Sequence, residues 1–130
     1  MASSSSRPVV LVTGAARRVG RAIALDLGAH GFDIAVHYRG SRDEAQATAD
    51  ELHALGAKAQ CFGADLSDEV ACRALMPEVA RAMGRLDAVV NNASHFEYDN
   101  VDSFGYASMD AHWRANTAPA IVLARALAEH

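Results

Sequence analysis

The chain has 130 residues, 51% of them apolar and 22% charged, and a formal net charge of −4. That length suits one domain with one core and excludes two of ordinary size, while the acidic balance without a basic block speaks against a nucleic-acid surface. Cys61 and Cys72 are too few for a disulfide framework or a metal site, and no apolar run approaches the roughly 18 to 20 residues of a membrane span.

Residues 1–7 open with a serine run that predicts a disordered tail, because the apolar stretch behind it is too short for a secretion signal. With both cysteines read as buried thiols in a reducing compartment, the predicted location is cytoplasmic. Val9–Val12 is a short apolar run of the kind a central parallel strand requires. Thr13–Gly20 then breaks into a turn that opens a helix, which carries apolar residues at helical spacing through Arg21–Leu27 and stops at Gly28–Gly31. Phe32–Tyr38 reads as a second strand. Ser41 reads as the N-cap of a helix with acids in its first turn, ending near Gly56. Ala57–Phe62 is a third strand. Ser67 or Asp68 caps a helix that runs to about Met83 with Pro77 inside it, and Gly84 is its stop signal. Leu86–Asn91 is a fourth strand, followed by a polar loop to about Gly105 and a last helix over Met109–Glu129.

Four strand–helix units with short connections predict an α/β fold, a Rossmann-type doubly wound parallel sheet with strand order 3-2-1-4. Ligands of such sheets sit outside the carboxyl ends of the strands. After the first strand, Gly14 permits a tight turn and Gly20 lets the helix lie close to the strand, so amides and a helix dipole converge as a phosphate seat. Arg18 stands where the usual Gly-x-Gly-x-x-Gly fingerprint has its middle glycine, which makes the bare pattern weak.

No acid follows the second strand until Asp43, so nothing there would accept from the ribose hydroxyls of NAD; a methyltransferase of this fold is disfavoured for the same reason. Arg39 and Arg42, with the hydroxyl of Ser41, instead offer positive charge where a 2′-phosphate would lie, and Arg17 is within reach of the same place. This predicts NADP(H) over NAD(H); either arginine alone reads equally as a solvated loop charge. Asp65 after the third strand has two readings, an acceptor for the adenine amino group with Leu66 packed on the ring, or a turn residue beside a helix cap. Asn91 and Asn92 after the fourth strand can tie neighbouring strands together and line a cofactor, or simply form a turn. In the last helix, Pro119 removes the donor for the Ala115 carbonyl and predicts a local kink that frees backbone groups beside Asn116.

Taken together, Thr13–Gly20, Asp65-Leu66, Asn91-Asn92-Ala93-Ser94 and Asn116 resemble the short-chain dehydrogenase/reductase family over essentially the whole chain from Arg7. The arginine at position 18, His37-Tyr38-Arg39 and Asn92-Ala93-Ser94-His95-Phe96 look most like its pteridine reductase branch. The resemblance implies an NADP(H)-binding domain over residues 8–130 and hydride transfer to a C=N or C=O bond of a small molecule. Gly14, Arg17, Arg18, Val19 and Gly20 would then hold the pyrophosphate region, and His37, Tyr38, Arg39 and Ser41 would surround the 2′-phosphate. Asp65 and Leu66 would bind adenine; Asn92, Ala93 and Ser94 would line the ribose and nicotinamide. Phe96 matches an aromatic that stacks on a pteridine, its plain alternative being a loop hydrophobe folded onto the sheet edge. Asn116 matches a helical asparagine that helps hold a proton-relay water, its alternative being a solvent-facing polar residue.

The family's tyrosine acid needs a lysine four residues later to bring a phenol near pKa 10 toward neutrality. Lys58 is the one lysine, Ala54 lies four residues before it, and no Tyr-x-x-x-Lys occurs. The chain is therefore expected to be the N-terminal portion of such an enzyme, inactive alone. An alternative is a non-catalytic NADP(H)-binding or interaction module, pairing with a separate second half. By the resemblance the parent enzymes are homo-oligomers. The apolar fourth strand would be left as an open edge and the last helix with bare apolar surface.

Overall fold

The computed structural model describes residues 7–96, 98 and 100–129. Most of the predicted tail, residues 1–6, and His130 lie outside them. Arg7, expected as the end of that tail, is instead pinned: its guanidinium donates to Asp33 Oδ1 at 2.8 Å and to the Phe32 carbonyl at 2.8 Å.

The elements follow in the order β1 (Val9–Val12), α1 (Arg18–Ala29), β2 (Asp33–Tyr38), α2 (Arg42–Ala54), β3 (Ala59–Gly63), α3 (Glu69–Met83), β4 (Ala88–Val90), α4 (Tyr106–His112) and α5 (Ala118–Ala128). A wide π-helical turn over Trp113–Thr117 joins the last two helices. The four strands are parallel in the order β3-β2-β1-β4, as predicted, with Leu11 opposite Ala35 on one side and Val89 on the other.

Alternation along the strands divides the core into two layers. Val9, Leu11, Ala35 and Phe62 face α3 and α5, meeting Leu75, Met76, Val79 and Leu123. Val10, Val12, Ile34 and Val36 face α1 and α2, meeting Ala24, Ala45 and Leu52. The layers place every strand's carboxyl end at one rim of the sheet. At the opposite rim, buried Asp33 accepts from Arg7 and from the Lys58 amide, so its charge is compensated.

The departures from the predicted boundaries have local causes. β3 starts at Ala59 because the Ala57 amide turns back to the Leu52 carbonyl at 3.1 Å to close α2. β4 is shorter than Leu86–Asn91. Asp87 spends its carboxylate on the Val9 amide at 2.8 Å, and the amides beyond Val90 leave the ladder for a side chain of β1's end. Ser41 and Asp68 hold the N-cap positions of α2 and α3, yet neither side chain makes the capping hydrogen bond. Cys72 is buried, whereas Cys61 on the edge strand β3 is only half-buried; burial raises the pKa of both thiols. Among the described residues no helix is long and apolar enough to cross a membrane.

Candidate functional site

The carboxyl end of β1 is sewn to the end of β4 by Thr13 and Asn92. The Thr13 hydroxyl accepts from the amides of Asn92 at 2.9 Å and Ala93 at 3.0 Å. In return, Asn92 Nδ2 donates to the carbonyls of Thr13 and Gly14, each at 3.2 Å. Gly14 turns with φ +64°, and a Cβ there would meet Ala93 Cα at 3.0 Å. At Gly20 a Cβ would overlap the Gly14 carbonyl oxygen and lie 2.5 Å from Asn92 Nδ2, so α1 docks on the turn backbone to backbone. Arg18 has φ +56°, the one positive φ outside glycine among the described residues. It adopts the left-handed conformation a middle glycine would supply, at about 1–2 kcal/mol.

His37 lies beneath this loop, 2% exposed. Its Nδ1 accepts from the Gly14 amide at 3.0 Å and its Nε2 faces the Ala64 carbonyl at 2.8 Å. Those partners assign the neutral tautomer protonated on Nε2. Burial pushes its pKa below 6.5, against the opposing pull of the Ala64 carbonyl. His37, expected beside a 2′-phosphate, lines the cleft and there also joins the ends of β1, β2 and β3 through these two bonds. Thr48 supports the loop from behind, its buried hydroxyl donating to the Ala16 carbonyl at 3.1 Å.

Above these supports opens a cleft of about 560 Å³ at the carboxyl rim of the sheet. Gly14, Arg17, Arg18, Val19, Gly20, His37, Tyr38, Arg39, Ser41, Asp65, Leu66, Asn92, Ala93 and Ser94 all line it, so the residues singled out from four separate segments meet in one place. Arg42 is not part of the lining. The N-terminus of α1 opens into the cleft with no side-chain cap and no acid in its first turn. Its positive end therefore lacks a built-in anion, while Arg17 and Arg18 add charge of the same sign.

Arg17 faces Glu44 across 3.7 Å, and Arg39 faces Asp65 across 3.7 Å. Asp65 Oδ1 accepts from the Ser67 hydroxyl at 2.6 Å and the Ser67 amide at 3.0 Å. The Ser67 hydroxyl does most to hold the Asp65 carboxyl below the usual range, with smaller help from the Ser67 amide and Arg39. The turn reading of Asp65 is therefore realised through one oxygen, while the other faces Arg39 at the cleft.

Where a kink was predicted, the helix widens into the turn Trp113–Thr117, where the Ala118 amide bonds five residues back to the Trp113 carbonyl. Asn116 sits in this turn and grips the backbone of His95, accepting from its amide at 2.6 Å and donating to its carbonyl at 2.9 Å. It fixes the strand-end loop that lines the cleft through Ser94 and His95. Phe96 lies outside the cleft lining, 74% exposed, and stacks edge-on against Tyr98 with ring centroids 5.1 Å apart. It is not folded onto the sheet edge.

Thr13, Thr48 and the backbone of His95 are the supports that sequence reasoning did not single out. Thr13 carried a signal, a hydroxyl at the strand end just before the glycine; Thr48 carried none, since a threonine on a polar helix looks solvent-facing.

The profile of the short chain dehydrogenases matches residues 8–130. The chain belongs to that family. Among curated short chain dehydrogenase relatives, the 3-oxoacyl-(acyl-carrier-protein) reductase FabG of Staphylococcus aureus is 42% identical over 83 residues, 64% of this chain and 34% of that protein. Versicolorin reductase 1 of Aspergillus parasiticus is 35% identical over 122 residues, 94% of this chain and 47% of that protein. A Burkholderia cenocepacia short chain dehydrogenase solved in complex with NADP superposes with a TM-score of 0.91 at 40% identity, covering 95% of this chain and 50% of that one. The FolM alternative dihydrofolate reductase 1 of Brucella suis, also in complex with NADP, gives 0.87 at 37% identity, covering 94% and 50%. The chain thus spans about a third to a half of the proteins it matches.

Proposed function

We propose that this chain binds NADP(H) in the cleft, as the nucleotide-binding part of an oxidoreductase that transfers hydride to a C=N or C=O bond of a small molecule. The observation that carries the reading is the charge around the cleft: Arg17, Arg18 and Arg39 at an uncapped helix N-terminus, with no acid at the end of β2. The fit extends to the backbone. Gly14 and Gly20 let the turn close against Asn92 and Ala93 and let α1 dock directly on the turn, which sets the α1 N-terminus at the cleft.

In this reading Gly14, Arg18, Val19 and Gly20 seat the pyrophosphate, while Arg17, Tyr38, Arg39 and Ser41 hold the 2′-phosphate and His37 positions the loop from below. Asp65 and Leu66 receive the adenine. Asn92, Ala93 and Ser94 flank the ribose and nicotinamide, and Asn116 keeps their loop in place through His95. The bound nicotinamide supplies the hydride. Phe96 and Tyr98, an exposed aromatic pair just past Ser94, stand where a planar substrate ring would stack. The pteridine reductase type is favoured by Arg18 and by the FolM neighbours, since dihydrofolate carries a pteridine ring. A homo-oligomer in a reducing, cytoplasmic setting completes the proposal, β4 being an open sheet edge and both cysteines free thiols. The 130 residues contain no Tyr-x-x-x-Lys; on their own they bind the nucleotide without turning it over.

Titration with NADPH and NADH tests the reading. NADPH binds more tightly, and Arg39→Ala removes a charge-assisted contact worth about 1.5–3 kcal/mol, a loss of roughly 10- to 150-fold for NADPH alone. Equal affinity for the two nucleotides would overturn the 2′-phosphate assignment. Steady consumption of NADPH in the presence of biopterin would refute the claim that these residues are inactive alone.

A further inference from the structure

The two arginines at the mouth of the cleft share a feature that sets them apart. Arg17 and Arg39 each face a carboxylate at 3.7 Å, beyond hydrogen-bond length. Elsewhere on the surface the arginines sit closer to their partners: Arg21 to Glu51 at 2.5 Å, Arg73 to Glu69 at 2.8 Å, and Arg114 to Asp110 at 2.9 Å. The cleft arginines are held by charge alone, so releasing them breaks no hydrogen bond between the partners.

Their carboxylates are also anchored independently of the arginines. Asp65 keeps the Ser67 hydroxyl and amide on its other oxygen. Glu44 lies in the first turn of α2, where the helix dipole favours a negative charge. Neither is left without compensation when its arginine turns away. The same helix face grips the loop twice, through Thr48 on the Ala16 carbonyl and Glu44 on Arg17, one turn apart. This draws Arg17 toward α2 and the Arg39–Ser41 side of the cleft, the side where a 2′-phosphate would lie.

We propose that Glu44 and Asp65 are resident counter-charges of the nucleotide site, and that a ligand 2′-phosphate takes Arg17 from Glu44 and Arg39 from Asp65. The proposal rests on the NADP(H) reading and adds to it a specificity-determining residue, Glu44, outside the cleft lining. In the free site the two carboxylates offset two of the three cleft arginines, leaving Arg18 and the helix N-terminus as its uncompensated positive charge. A ligand without the 2′-phosphate brings no anion to take Arg17 from Glu44 and leaves that pair intact, and its adenine meets Asp65 just as that of a 2′-phosphorylated ligand does. Glu44 therefore tempers affinity for 2′-phosphorylated ligands only. An exposed pair of this kind is worth about 0.2–1 kcal/mol, so its removal strengthens that binding up to about fivefold.

Calorimetric titration of the full chain at low ionic strength with adenosine 2′,5′-bisphosphate and with 5′-AMP tests this, using wild type, Glu44→Gln and Glu51→Gln. Glu51 gives a control that removes the same charge from the same helix, but its arginine, Arg21, does not line the cleft. Glu44→Gln should bind the bisphosphate about 1.4- to fivefold more tightly with 5′-AMP unchanged. The gain should shrink at about 1 M salt, where screening acts within about 3 Å, and Glu51→Gln should behave as wild type. Unchanged or weaker bisphosphate binding in Glu44→Gln overturns the exchange. So does equal tightening in Glu51→Gln, which would show a general field effect, or equal tightening toward 5′-AMP. If wild type shows no preference for the bisphosphate, the NADP(H) reading itself falls, and the exchange with it.

Discussion

Replacing Gly20 by alanine tests how α1 meets the turn that builds the cleft. The new methyl would overlap the Gly14 carbonyl oxygen and stand 2.5 Å from Asn92 Nδ2, where carbon needs about 3.5 Å. Neither neighbour can swing away, because one is backbone and the other is tied to two carbonyls at 3.2 Å. The helix must retreat by an ångström or so, which costs about 1–3 kcal/mol as overpacking. Retreat also strains both Asn92 hydrogen bonds, each worth about 0.5–1.5 kcal/mol net. A loss of about 2–6 kcal/mol follows, a large share of the roughly 5–15 kcal/mol that holds a domain together. Urea unfolding followed by far-ultraviolet circular dichroism measures it; with a slope of about 2 kcal/mol/M the midpoint should fall by roughly 1 to 3 M. Gly40→Ala is the matched control, having no atom within 4 Å of its added Cβ, and should stay within about 0.5 kcal/mol of wild type. A Gly20→Ala protein within about 1 kcal/mol of wild type would refute backbone-to-backbone docking of α1.

Arg18→Gly should stabilise the chain by about 0.5–1 kcal/mol, since relief of a left-handed residue outweighs the added chain entropy; destabilisation would show that Arg18 is not strained. His37 has its folded-state pKa lowered by burial, so the unfolded chain binds the extra proton first. Its contribution is fully present above the unfolded pKa of about 6.5 and is lost as pH falls toward the folded value. Urea midpoints across that window should fall more steeply in wild type than in His37→Gln, and parallel curves would contradict the assignment. Asn116→Ala removes both bonds to the His95 backbone, and hydrogen exchange at the His95 amide should accelerate by about tenfold while amides of β1 stay protected.

What was legible beforehand was what depends on neighbours in sequence. The βα alternation, the strand order and the segments that meet at the cleft follow from periodicity, turn residues and right-handed crossovers. Pro119 announced the break in the last helix because a missing amide acts locally. The supports beneath the cleft were hidden because their partners are distant. The ring of His37 finds Gly14 and Ala64, 23 and 27 residues away, and becomes a buried prop, a role its place after a strand did not reveal. Thr48 reaches Ala16 across 32 residues, which no helical pattern reveals. The caps failed as well: Ser41 has the right residue type in a backbone conformation outside the extended region an N-cap uses, whereas Asp68 has the extended backbone and still makes no cap bond.

The wide turn at Trp113–Thr117 works as a phase shifter. An α-helix advances by about 100° per residue, so one extra residue in a turn rotates everything downstream by that angle relative to what came before. Asn116 must look toward the strand-end loop while Leu123 must look into the layer beneath α3. A one-residue deletion that restored ordinary helix would satisfy one of those directions and rotate the other off its target. Cleft and core are thus served by a single continuous segment whose two halves are deliberately out of step.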